Sequence, residues 1–122
     1  MKTYLSTLLF ILALILSSCE KKQAPVLISI SPNKQVTLSL HGEMPMKFSP
    51  WSCTLGVKGY NAWSDSIFFE IVADEINDNN VKFDWQSDER CTIAITEKNG
   101  EKRVFNLEAT PNMVHLQEVQ SP

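Results

Sequence analysis

The chain has 122 residues, of which 43% are hydrophobic, as in globular domains, and its formal net charge is −3. That length allows one folded domain and not two. Its 11 Lys and Arg and 14 Asp and Glu are dispersed. The longest basic runs are the pairs Lys21-Lys22 and Lys102-Arg103. Nucleic-acid binding needs a clustered positive surface, so the sequence excludes that class.

The N-terminus begins with a positive charge at Lys2, followed by an apolar run over residues 5–16. The small residues Ser17 and Ser18 then precede Cys19. An apolar run of this length is too short to span a bilayer, and with a small-residue exit it predicts a cleaved signal peptide.

Within this segment, Leu16-Ser17-Ser18-Cys19 resembles the lipobox of bacterial lipoproteins. The resemblance implies that residues 1–18 are removed and that Cys19 carries a diacylglyceryl thioether, usually with a further N-acyl chain such as palmitate. Several acyl chains suffice for stable attachment to a membrane. The alternative is an ordinary secretory signal with an incidental cysteine.

The family's sorting rules give an expected location. Glu20 replaces the aspartate that signals retention at the inner membrane, which favours the outer membrane. No acidic cluster follows Cys19, which favours the periplasmic face over the cell surface.

Residues 19–25 are predicted to be a lipidated tether and residues 26–119 a β-sandwich domain. After Val26 apolar and polar residues alternate almost everywhere, which is typical of half-buried strands. The apolar spacing of an amphipathic helix is missing. Strands are predicted at 26–31, 35–41, 45–48, 51–58, 66–73, 80–86, 91–97 and 102–109, with a possible terminal strand at 113–119. Short strands with turn signals between them predict an all-β antiparallel sandwich.

In strand number and in having a cysteine pair, the domain resembles immunoglobulin-like sandwiches. The position two residues before the second cysteine, a tyrosine in true immunoglobulin domains, is Glu89 here. The resemblance therefore extends to the architecture, and no functional residue is carried over from that family.

Cys53 and Cys91 remain once Cys19 is assigned to lipid, and both fall on core-facing positions. An even cysteine count in an exported domain favours a disulfide between them. Closing their loop of about 39 residues would be worth about 4 kcal/mol. The alternatives are two buried free thiols, or a zinc or catalytic site. Against the last, neither cysteine lies in a CxxC motif, and His41 and His115 lie outside ligand spacing.

The candidate binding residues are Tyr60 and Trp63, two aromatics on a glycine-containing segment. Exposed aromatics in such a setting serve sugar stacking or protein hot spots. The competing interpretation makes Trp63 a cover over one end of the sandwich. The oxygen-rich loop at residues 74–80 fails the EF-hand pattern, because Ile76 occupies a ligand position and the central glycine is missing. A solvated turn is the simpler interpretation, and neither metal nor cofactor is expected.

Enzyme signatures such as GxSxG, a Walker loop or HExxH do not occur in the sequence. The leading hypothesis is a lipid-anchored envelope module that binds a protein or glycan partner. The alternatives are a structural or assembly lipoprotein of a larger envelope complex, or an enzyme of an unrecognised type.

Around Asn99-Gly100 a hairpin is predicted, and its loop length sets the register. A two-residue loop would pair Ile95 with Val104 and turn Phe105 to solvent. A three-residue loop pairs Ile93 with Phe105 and gathers the apolar residues on one face, so burial favours it. The expected geometry is a type I turn with Gly100 in the left-handed region, forming a G1 bulge.

Overall fold

The computed structural model describes residues 22–119. The predicted signal peptide and Cys19 lie outside the described residues. The strands are β1 Lys22–Gln23, β2 Leu27–Ile30, β3 Thr37–Met44, β4 Trp51–Lys58, β5 Ser64–Ile71, β6 Val81–Trp85, β7 Arg90–Thr96, β8 Lys102–Thr110 and β9 Met113–Val119. A turn of 3-10 helix, Tyr60–Ala62, separates β4 from β5. Over residues 22–119, no helix has the length and apolarity needed to cross a membrane.

The strands form two antiparallel sheets. In sheet A the order is β3-β4-β5, and β1 and β2 both pair with β3 along different lengths of one edge, so the sheet is four strands wide. Sheet B has the order β6-β7-β8-β9. The all-β sandwich predicted from the sequence is confirmed. Its strands follow one another in chain order within each sheet, whereas immunoglobulin sheets interleave strands from distant parts of the chain.

The core lies between the inward faces of the sheets. Alternate residues of β4 and β7 are buried, as the alternation predicted, and Trp51 is the largest fully buried side chain. Phe105 from sheet B contacts Phe69 from sheet A with ring centroids 4.6 Å apart. Burying residues of this size supplies the main stabilisation of the sandwich.

Two predictions about boundaries are wrong. No strand forms at 45–48: the segment is a turn between β3 and β4, with Pro45 and Pro50 at its ends and Phe48 at a positive φ of 65°. The segment 19–25 is not all tether, because Lys22 pairs with Met44 and the Ala24 N–H donates to the Gly42 carbonyl at 3.0 Å. The sandwich therefore begins by residue 22.

The register of the β7–β8 hairpin is confirmed. Ile93 pairs with Phe105, and Cys91 with Leu107. The Gly100 N–H donates to the Glu97 carbonyl at 3.0 Å, and Gly100 has a φ of 87°. These are the features of the three-residue loop with a G1 bulge, chosen because it buries the apolar set.

The two open sides of the sandwich are joined by polar contacts. On one side, Trp85 of β6 donates its indole N–H to the Ser29 hydroxyl of β2 at 2.9 Å. On the other, the Asp65 carboxylate of β5 accepts from the Leu116 N–H of β9 at 3.1 Å. The first contact ties the two edge strands through side chains, and the second satisfies a backbone N–H of β9 that an edge strand would otherwise offer to another chain.

A third contact between the sheets is made by Arg103 of β8. Its guanidinium donates to both carboxylate oxygens of Glu118 and, at 2.8 Å, to the Glu70 carbonyl of β5. It also lies 5.6 Å from the centroid of the Phe69 ring. The hydrogen bonds to Glu118 raise the pKa of Arg103. We call this arrangement the Arg103 clamp.

The loops divide between two ends of the sandwich. β1, the 45–50 turn, the 72–80 loop and the β7–β8 hairpin share what we call the proximal end, where the Lys98 N–H donates to the Val72 carbonyl at 2.8 Å. The 31–36, 59–63, 86–89 and 111–112 loops share the distal end.

Candidate functional site: the two outer faces

The two aromatic residues predicted to bind a ligand have different environments. Tyr60 is half-buried against the core, and its hydroxyl accepts a hydrogen bond from the Asn33 side-chain amide at 2.6 Å. Trp63 is 54% exposed. The turn between them is fixed by the Gly59 N–H, which donates to the Trp63 carbonyl at 2.7 Å. Tyr60 is therefore held at the distal end by packing and a hydrogen bond, and Trp63 is the more exposed of the two rings.

Cys53 and Cys91 are buried and free, so the predicted disulfide is absent from the structure. Cys53 lies on sheet A, close enough to Arg103 for that charge to lower its pKa. Cys91 pairs with Leu107 on sheet B. On sheet A, Cys53 pairs with Phe69, whose ring contacts Phe105, and Phe105 lies two residues from Leu107 along β8. The two thiols face the core at different heights.

Burial governs the chemistry of both thiols. It raises the pKa of Cys53 to about 12, against the lowering effect of the Arg103 charge. It also raises the pKa of Cys91 to about 12, where a backbone hydrogen bond from Asp84 lowers it and the Asp84 charge raises it. Since the thiolate is the nucleophile and metal ligand, burial disfavours the reactive form of both cysteines.

The oxygen-rich loop at 74–80 uses its polar atoms internally. The Asn77 side-chain oxygen accepts from the Asn79 N–H at 2.9 Å, and the Asn80 side-chain amide donates to the Glu75 carbonyl at 2.7 Å. Among residues 22–119, no group of three His, Cys, Asp or Glu side chains is placed to hold a metal ion.

The outer face of sheet A has small polar side chains at its centre and large apolar ones at its sides. Cross-strand neighbours share a face, so the row Ile28, Ser39, Gly56 and Ser66 runs across all four strands. The next rows add Ile30 at the β2 edge and Phe68 on β5. Ile28 is 63% exposed, Ile30 53% and Phe68 77%.

Gly56 leaves the centre of this face open. A Cβ built there would meet only the Ser39 hydroxyl, at 3.5 Å, within 4 Å. The result is an open trough of about 640 Å³. Its lining includes Thr37, Ser39, Gly56, Lys58, Ser64 and Ser66. Three strand spacings, about 14 Å, separate its apolar margins on β2 and β5. We call this surface the sheet A trough.

The β2 edge beside the trough is poorly suited to pairing with another strand. β2 has only four residues and is flanked by Pro25 and Pro32. Ser29 is also held by Trp85 from the other sheet. Short length, flanking proline and cross-sheet contacts all protect an edge. A partner is therefore expected to contact the face and not the edge.

The outer face of sheet B carries a different surface, an open hollow of about 400 Å³. The Thr92 hydroxyl lies 3.0 Å from the Gln86 amide and 3.4 Å from the Asn106 amide oxygen. An Arg90–Glu108 pair at 3.7 Å borders them, and a His115–Gln117 pair at 3.0 Å lies alongside. We call this the amide hollow; its lining has amide, hydroxyl and charged groups and the His115 imidazole, and no Phe, Tyr or Trp side chain.

Sequence reasoning missed both outer faces as sites. The signal for Phe68 was present: the strand phase that puts Ile67 and Phe69 inward sends Phe68 outward. For Ile28 the sequence carried no such signal. Residues 26–28 are all apolar, so alternation does not show which of them point inward. The three exposed aliphatic and aromatic side chains are the strongest interaction feature of the two faces.

These surfaces define the protein as a small β-sandwich with one apolar-rimmed face and one polar face. Comparison with family models, curated proteins and solved structures found no match to the chain.

Proposed function

We propose that this chain is a lipid-anchored envelope module that binds a protein partner through the sheet A trough. The observation that carries the proposal is the exposure of Ile28, Ile30 and Phe68 around a floor of hydroxyl-bearing and glycine residues. Apolar side chains left in water at the rim of a face gain by being covered. The floor hydroxyls both donate and accept, which suits the backbone of an extended segment.

Attachment to a membrane supports this role on energetic grounds. The trough spans about 14 by 26 Å, whereas a stable interface covers about 800 Å² on each partner. Such a face gives weak binding between freely diffusing proteins. Holding both partners at one membrane raises their effective concentration and compensates for the small area. Under this proposal Cys19 carries the lipid, at the outer membrane.

Lipidation has its own test. Mass spectrometry of the membrane-extracted protein is expected to show an N-terminus at Cys19 bearing acyl chains. The variant Cys19→Ser is expected to be released or to stay uncut. A soluble, unmodified chain that begins elsewhere would contradict the anchoring.

Site-specific photo-crosslinking in the intact envelope tests the trough. A photoreactive residue at Ser66 is expected to capture a discrete protein, and one at Thr92 on the other face is not. The blocking variant is Gly56→Val, which fills the trough, touches no core atom and introduces a good strand residue. It is expected to abolish the crosslink, while the matched change Ala94→Val on sheet B leaves it intact. A crosslink that survives Gly56→Val would refute the trough as the site.

The amide hollow favours a second candidate function, glycan binding. Amides, a carboxylate and a guanidinium side by side can each contact neighbouring hydroxyl groups of a sugar. Titration calorimetry with envelope polysaccharide fragments would then show binding that Asn106→Ala abolishes and Ser66→Ala does not. Equal binding by both variants would exclude the hollow.

A further inference from the structure

The 45–50 turn at the proximal end presents two large apolar side chains to solvent. Phe48 is 90% exposed, the highest value among the exposed large hydrophobic residues of the described chain, and Met46 is 73% exposed. Lys47 lies between them, with its Nζ 5.4 Å from the Phe48 ring centroid. Apolar and aromatic side chains beside a lysine are the composition that favours the interface of a bilayer.

The turn is built to hold these side chains outward. The Ser49 hydroxyl donates to the Met46 carbonyl at 2.6 Å and accepts from the Met46 N–H at 3.1 Å. Phe48 has a φ of 65°, a conformation disfavoured for an aromatic residue. A positive φ costs free energy at a phenylalanine, so its presence in this exposed turn points to a functional role.

The distance from Cys19 to the sandwich is short. Lys22 already pairs with Met44, two residues before Met46. Three residue steps from Cys19 span at most about 11 Å. The strands of sheet A are about 26 Å long, so the distal end lies far beyond this reach. A lipid on Cys19 therefore brings the proximal end, and the 45–50 turn with it, to the bilayer.

We propose that the 45–50 turn inserts Met46 and Phe48 into the lipid interface, so that the bilayer itself is the occupant of this apolar surface. This inference rests on the lipidation of Cys19 proposed above. The proximal end also carries carboxylates, among them Asp74 paired with Lys98 at 3.0 Å. Insertion is therefore driven by apolar contact, and zwitterionic lipid suffices.

The test uses the mature lipoprotein in phosphatidylcholine vesicles. Lys47→Cys carries an environment-sensitive fluorophore, and Asp88→Cys at the distal end is the matched control. The buried, high-pKa thiols of Cys53 and Cys91 stay unlabelled. We expect the label at 47 to shift to the blue, to be quenched by bromine on lipid chains and to escape aqueous iodide. The label at 88 should show no blue shift, should not be quenched by bromine on lipid chains and should be quenched by iodide.

A second variant places the same label at 47 together with Met46→Asp and Phe48→Asp. Both residues are so exposed that these changes leave the fold intact. The label is then expected to return to water while the protein stays on the vesicle through its lipid. A lipidated protein whose label at 47 is as accessible to iodide as the label at 88 overturns the inference and leaves the anchoring standing. An unlipidated protein recovered in solution overturns both.

Discussion

Replacing Arg103 by methionine removes the clamp between the sheets and keeps an unbranched side chain over Phe69. The guanidinium side chain is only 27% exposed, and it makes a forked contact to Glu118 and one to the Glu70 carbonyl. Hydrogen bonds to a charged group contribute about 1.5–3 kcal/mol, and the cation–π contact about 0.5–1 kcal/mol. Since the Glu118 side chain is 34% exposed, solvent screens part of its attraction to Arg103. We expect a net loss of about 2–3 kcal/mol.

The matched control is Arg90→Met. Arg90 pairs with Glu108 at 3.7 Å, and their side chains are 69% and 45% exposed. Exposed pairs of this kind contribute little, so the loss is expected to stay under about 0.5 kcal/mol. The loss of stability in Arg103→Lys should lie between those of the two methionine variants. A lysine ammonium keeps the positive charge but lacks the planar guanidinium that contacts both Glu118 oxygens.

Equilibrium unfolding in urea, followed by tryptophan fluorescence, to which the buried Trp51 contributes, measures these differences in stability. For a slope of about 1.5 kcal/mol per M, the midpoint of Arg103→Met should fall by about 1.5–2 M. Because the clamp is partly buried, most of the difference in midpoint between Arg103→Met and the unmodified protein should persist at high salt. Equal midpoints for Arg103→Met and Arg90→Met would refute the clamp.

Three further predictions concern stability. Burial raises the pKa of Cys53 and Cys91 from 9.0 to about 12, so the unfolded chain loses these protons first. Between pH 9 and 12 the free energy of unfolding should fall by about 1.4 kcal/mol per pH unit for each thiol, and less steeply in the double alanine variant; equal slopes would contradict this. Gly42→Ala should cost about 1–3 kcal/mol, because its Cβ would lie 2.7 Å from a core methyl group; Gly56→Ala, which faces open space, is the control, and equal thermal midpoints would refute the close contact. Phe48→Asn should stabilise the fold by about 0.5–1 kcal/mol through relief of its positive φ; a destabilised variant would show that the ring packs on the domain.

The sequence predicted most of the fold because alternation and burial act together in a sandwich. The same argument resolved the β7–β8 hairpin, where the pairing of Ile93 with Phe105 buries both. The same argument wrongly predicted a strand at 45–48, because the alternation of apolar and polar residues continues into a turn there. Only the backbone shows that Phe48 leaves the strand with a positive φ.

Contacts between sheets were less predictable than contacts within them. Strand phase gives the direction in which Cys53 and Cys91 point and carries no information on their heights, so the disulfide was predicted where the structure has free thiols. The same limit applies to Tyr60, whose partner Asn33 lies on a different loop. Neither pairing has a signal in local spacing.

The different heights of the two cysteines have a consequence for biogenesis. A bond between Cys53 and Cys91 in the unfolded chain would hold their strands at one level, whereas the closed sandwich places the two residues at different levels. An oxidant that reaches the chain before the sheets close would thus create a covalently trapped species. If the chain folds in an oxidising compartment, sheet closure competes with thiol oxidation, and a reductant present during refolding should favour sheet closure.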